Sequence, residues 1–162
     1  MNIDLRKEFE TLMHDYGHWV VLRHALPGRR CSCISKITKE ALSGCTKCLG
    51  SGRAYTDTFV KARKSRPIKF THAVGGEALT GPVQGTTPEY IYYLRFETRP
   101  SQDDYVLEIG LTPADRDPVI PCLVTAVYNI TDVREMRMDS GRVEYYALST
   151  ERQIFPDFEA GS

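Results

Sequence analysis

Cys122-Leu123-Val124-Thr125-Ala126-Val127-Tyr128-Asn129-Ile130 is answered, across a turn at Asp139-Ser140-Gly141, by Arg142-Val143-Glu144-Tyr145-Tyr146-Ala147-Leu148. Both arms are crowded with β-branched and aromatic side chains, which suit a pleated, half-buried surface, and the pair reads as a β-hairpin. Working back toward the N-terminus, residues 104–109 form a shorter strand, set off by a proline- and aspartate-rich turn over 112–118. Glu89-Tyr90-Ile91-Tyr92-Tyr93-Leu94-Arg95-Phe96-Glu97 is the most aromatic run and the best central strand. Ala54-Tyr55-Thr56-Asp57-Thr58-Phe59-Val60 and the shorter Pro67-Ile68-Lys69-Phe70-Thr71 precede it. Short strands at fairly regular spacing predict a mainly β chain, a small barrel or sandwich.

Two segments depart from this pattern. Leu5, Phe9, Leu12, Met13 and Tyr16 recur at steps of three and four, predicting an N-terminal helix with Asn2 or Asp4 as its cap and Gly17 as its stop. His18-Trp19-Val20-Val21-Leu22-Arg23-His24 follows as a strand, which Pro27-Gly28 is expected to break. Between residues 73 and 88 lie Gly75, Gly76, Gly81 and Gly85 with few large apolar groups, so a long loop is predicted there. The expected division is an N-terminal helix and strand (1–26), an inserted four-cysteine zinc module (27–53), a β domain with its loop (54–150) and a poorly tied tail (151–162).

Composition narrows the function. Across 162 residues, 21 lysines and arginines balance 21 aspartates and glutamates, which argues against a dedicated nucleic-acid binder. No apolar run approaches the ~20 residues that span a bilayer, so no membrane partner is expected. The opening Met1-Asn2-Ile3-Asp4-Leu5-Arg6-Lys7-Glu8 is too charged for a signal peptide, and the expectation is folding in a reducing cytoplasm.

In that setting clustered cysteines hold metal more often than they form disulfides. Cys31-x-Cys33 and Cys45-x-x-Cys48 supply four thiolates in two rigid pairs, the donor set of tetrahedral zinc. Alternate residues on an extended strand point the same way, which serves the first pair. The second runs into Leu49-Gly50-Ser51-Gly52, where glycines accept positive φ and let backbone N–H groups reach the sulfurs. Arg29, Arg30, Lys36, Lys39 and Lys47 offset the charge of a tetrathiolate. Iron suits the same ligands, with zinc the default; reduced unliganded thiols and a redox Cys-x-x-Cys are the other readings, the latter lacking a βαβ context. Four thiolates close the coordination shell, so the metal is structural. Cys122 stands apart as a buried spare thiol.

No catalytic pattern emerges. His14, His18, His24 and His72 show no metalloprotease spacing, although His18 or His24 could replace a thiolate ligand. Gly75-Gly76 lacks the residues of a phosphate cradle, and no Gly-x-Ser-x-Gly elbow is present. Lys61, Arg63, Lys64, Arg66 and Lys69, with Arg53, face a single acid, Asp57, and form a candidate basic interaction face: a nucleic-acid stripe, a solvated strand face or a docking surface. Asp103, Asp104, Glu108, Asp115 and Asp117 form an acidic counterpart, an arrangement that suits head-to-tail packing of identical copies.

The order of parts resembles a known group. The helix, the Val-Val-Leu-Arg strand, Arg-Arg-Cys-Ser-Cys, Cys-Thr-Lys-Cys-Leu-Gly-Ser-Gly-Arg-Ala-Tyr and the closing hairpin from Val127 are similar to cysteine-containing neck proteins of tailed bacteriophages, the head–tail connectors or stoppers. The resemblance implies a virion protein without catalytic activity, assembled in the host bacterial cytoplasm as a ring of six or twelve copies around the DNA channel. It implies a portal or adaptor on one side, a tail terminator or tail tube protein on the other, and non-specific contact with packaged DNA. In that setting the 73–88 loop is the candidate to project into the channel or grip a neighbouring ring. Two other classes fit the residues: a zinc-ribbon nucleic-acid-binding protein, and a metal-stabilised assembly factor or chaperone-like adaptor.

Overall fold

The computed structural model describes residues 4–67, 89–138 and 141–159. The expected loop over 73–88 with its four glycines, the strand from Ile68 to Thr71, Lys69, and the turn residues Asp139 and Ser140 lie outside them. Helix α1 (Leu5–Tyr16) is followed by β1 (His18–Arg30), β2 (Arg53–Ser65), β3 (Tyr90–Arg95), a 3-10 turn (Phe96–Thr98), β4 (Tyr105–Ile109), β5 (Leu123–Arg137), β6 (Val143–Gln153) and β7 (Phe158–Glu159). All strand pairings are antiparallel, in the order β4-β1-β2-β3-β6-β5-β7, and β4 also pairs with β5. That last pairing closes six strands into a barrel, leaving β7 as an appendage on β5. The chain is thus mainly β, a barrel with one N-terminal helix and a four-cysteine cluster.

Strand alternation divides the apolar residues between two cores. One face of the strands fills the lumen with Val20, Leu22, Val60, Ala62, Tyr92, Leu94, Val106, Tyr128, Ile130, Tyr146 and Leu148. The other face of β1, β4 and β5 builds an outer cluster from Val21, Leu107, Ile109, Val124 and Val127, covered by Leu49, Cys122 and Phe158. The lone cysteine is therefore a buried packing residue, as its apolar neighbours implied.

Several expectations need correction. Pro27-Gly28 does not end β1: the register slips between Ala25 and Arg30, and Gly28 takes φ 71°, so the pair makes a bulge and the strand resumes at Arg30 opposite Arg53. The segment after 151 is not a loose tail through Glu159. β6 runs to Gln153, Phe155 packs edge-on against Phe158, and Phe158 is buried while β7 pairs with Leu123 and Val124. Asp4 occupies the N-cap position of α1, but its carboxylate goes to Arg142 instead of the helix backbone. Gly17 ends the helix in an extended conformation; glycine is required because a Cβ there would lie 2.4 Å from the Met13 carbonyl oxygen. The apolar stripe of α1 is only partly covered: Met13 is buried and Phe9 stacks on Tyr145, whereas Leu12 and Tyr16 are exposed.

Candidate metal centre

The cysteine segment is the tip of the β1–β2 hairpin. Arg30 and Arg53 are the last paired residues, and the Cys31 N–H donates to the Gly52 carbonyl at 2.8 Å, so residues 31–52 leave and return through one closed neck. Inside it, short-range bonds set the turn: Cys45 N–H to the Leu42 carbonyl, Leu49 N–H to that of Cys45, and Ser51 N–H to that of Cys48. Leu49, Gly50 and Gly52 all have positive φ, at 52°, 80° and 74°. A Cβ on Gly52 would sit 3.2 Å from that of Ala41, so the glycine serves both conformation and packing.

These turns bring the four Sγ atoms of Cys31, Cys33, Cys45 and Cys48 within 4.8 Å of one another. Cys33 and Cys48 stand 3.4 Å apart and Cys31 and Cys45 3.9 Å apart. Four sulfurs at ~2.3 Å from one ion are separated by about 3.8 Å in a tetrahedron, so the cluster fits a tetrathiolate ion with small adjustments. Cys31 and Cys48 are buried, Cys33 and Cys45 half-buried. Among the described residues no other cluster of this kind occurs.

The polypeptide favours thiolate at Cys45 but thiol at Cys33 and Cys48. Burial works against ionisation of Cys45, but backbone N–H groups of Cys48 and Lys47, with the neighbouring sulfurs, bring it down to about 7. At Cys48 burial prevails and pushes the thiol up to about 12, against the backbone N–H groups of Gly52 and Gly50. Glycine amides thus face the Cys48 sulfur, the placement the Gly-x-Gly spacing predicted. A bound cation would shift this balance decisively toward thiolate.

A buried arginine joins the module to the barrel. Arg23, on β1, is 4% exposed. Its Nε and Nη2 donate to the two Asp57 carboxylate oxygens at 2.7 Å each, and Nη1 donates to the Thr46 carbonyl at 2.6 Å. The guanidinium also lies 5.6 Å from the Phe158 ring centre. Arg23, Asp57 and Thr46 escaped the sequence reading. The available signal was that Asp57 is the one acid in a basic run, opposite an arginine ending an apolar run.

The other candidates are dispersed. His18 and His24 are not ligands: His24 Nδ1 contacts Asp104 at 3.0 Å and His18 Nε2 lies 3.6 Å from Glu108. The basic run splits by strand alternation. Lys61 and Arg63 lie over Trp19 and Tyr16, and Arg66 is exposed beyond β2. Lys64 faces inward, donating to Glu108 at 3.0 Å and Tyr128 at 3.3 Å with Tyr90 beneath it, so it leaves the interaction face. The acidic counterpart also dissolves. Asp104 is buried, accepting from the Ala25 and Ser101 N–H groups, and Glu108 is part of the lumen. No protein-family model and no curated protein matches this chain.

Proposed function

We propose that this is a structural protein of the neck of a tailed phage, a zinc-stabilised barrel that assembles in a ring between the DNA-filled head and the tail and helps retain DNA. The observation carrying the reading is the placement of the four-cysteine cluster at the tip of the hairpin formed by the first two strands of a small barrel. The resemblance in the Cys31–Cys48 region and the closing hairpin likewise joins a cysteine module to a β-barrel. Zinc suits four thiolates in a closed shell, where it adds folding energy to a segment with few apolar residues of its own. The ion holds the tip rigid; the barrel supplies the wall of the ring; neither role requires catalysis.

The test is elemental analysis of the purified full chain together with its mass by light scattering, with and without chelator. The reading expects one zinc per chain and a ring of six or twelve copies, formed alone or on a portal complex. A folded chain free of metal overturns the zinc assignment. A zinc-bound monomer that shifts DNA, with an affinity falling steeply as salt rises, favours the zinc-ribbon alternative and overturns the neck role.

A further inference from the structure

The barrel is closed along only part of its length, and the two places where it opens match each other. β2 pairs with β3 from Ala62 to Ser65 only; residues 53–61 have no partner on that side among the described residues. β5 pairs with β4 no further than Asn129 opposite Tyr105, so, among the described residues, 130–137 are held by β6 alone. Between these seams lie β3, β6 and β5 on one path and β4, β1 and β2 on the other, which puts the seams on opposite sides of the barrel.

Each free edge is accessible. Thr56 and Thr58 share the lumen face with Val60 yet are exposed, because the sheet has parted there. The opening continues into a cavity of about 1010 Å³ whose lining includes Met13, Trp19, Thr58, Phe59 and Lys61. On the other side, residues 134–138 are all exposed. Both edges carry apolar side chains in water: Phe59 on β2, and Met136 with Met138 at the end of β5. Neither edge contains a proline, and charge guards them weakly: Arg53 and Lys61 against Asp57 on β2, and two of each sign over residues 130–137. The charges on β5 cancel in adjacent pairs, Arg134 with Asp132 and Arg137 with Glu135.

Direction matches as well. Both free stretches lie at the cysteine end of the barrel, where β5 arrives and β2 departs. Copies related by rotation about an axis along the barrel would bring these strands together antiparallel, the more stable pairing.

We propose that the two edges are the halves of one heterologous interface, in which residues 130–137 of one copy pair with residues 53–61 of the next. Main-chain hydrogen bonds give the contact its strength, and Phe59, Met136 and Met138 close over it. The pairing stands on the strand geometry; only its closure into a ring rests on the neck reading.

The test replaces Phe59 by p-benzoyl-phenylalanine in the full metal-bound chain, followed by irradiation, digestion and mass spectrometry. The expected product joins two chains, from position 59 to residues 130–138. A companion set places charge on the exposed edges: Phe59→Lys and Met136→Lys should each weaken association by about tenfold or more, and Phe59→Glu combined with Met136→Lys should restore it. Rings whose cross-links fall elsewhere, or within one chain, overturn the edge pairing and leave the ring reading intact. Open filaments cross-linked at the expected positions uphold the pairing and overturn closure. A chain that stays monomeric and yields no adduct overturns both.

Discussion

Replacing Glu108 with glutamine probes the inward-facing polar cluster in the half of the barrel away from the cysteines. Glu108 accepts from Lys64 at 3.0 Å and from the Tyr92 hydroxyl, with the His18 ring 3.6 Å away. Burial by itself pushes this carboxyl up, but His18, Tyr92 and Lys64 outweigh it and bring it from 4.5 down to about 2. Because the folded value lies below the unfolded one, the ionised form favours the native state. Its contribution is fully present above pH 4.5 and disappears as pH falls through 2. At 1.36 kcal/mol per unit, a shift of this size corresponds to about 3 kcal/mol, or roughly 6–12 °C in Tm for a chain of this length. Chemical denaturation of the native protein and of Glu108→Gln from pH 7 to pH 2.5 measures it. Any ion held by the four cysteines would be lost in acid from both proteins, so only their difference in stability is informative. The variant should be about 3 kcal/mol weaker at pH 7, with the gap narrowing steadily below pH 4.5. A gap independent of pH would refute the reasoning, because the loss would then come from packing and not from the charge. A gap that widens in acid would reverse its sign.

Two further outcomes follow from the cysteine module. Cys48→Ser should leave the barrel folded, since the lumen core is assembled without the tip, while metal content after dialysis falls to near zero; far-UV circular dichroism and elemental analysis read the two parts. Arg23→Met should cost about 3 kcal/mol, because it strands Asp57 and the Thr46 carbonyl, whereas Arg23→Met with Asp57→Leu should recover most of the loss in thermal unfolding.

The distinction between the outer and inner faces of the barrel explains why some residues misled. Lys64 belongs to a basic run in sequence, yet it shares its face with Val60 and Ala62, and the partners that make its burial tolerable, Glu108 and Tyr128, are 44 and 64 residues away. Asp104 likewise reads as a surface acid beside Asp103. Its carboxylate instead ties the loop before β4 to β1 through Ser101, His24 and Ala25, and these bonds, led by His24, hold its carboxyl below the usual range against the effect of burial. A charge pattern along the chain cannot reveal such pairings, because the alternation that turns a side chain inward depends on register.

What the sequence determined by itself was local. Two cysteine pairs followed by Gly-x-Gly specify a turn that converges four thiols, whatever barrel carries it, since the geometry is set within residues 31–52. The alternation of β-branched and aromatic residues determined that the chain would be mainly β, and the spacing of apolar residues from Leu5 to Tyr16 marked the helix. The tertiary structure alone decided how β4 meets β5 to close the barrel, where β2 parts from β3, and that Phe158 returns to cover the outer cluster. It also decided that Arg23 would carry the link from barrel to cysteine module. Each of these depends on contacts between residues far apart in the chain, whose energy comes from desolvation shared among strands and so has no signature in any one segment.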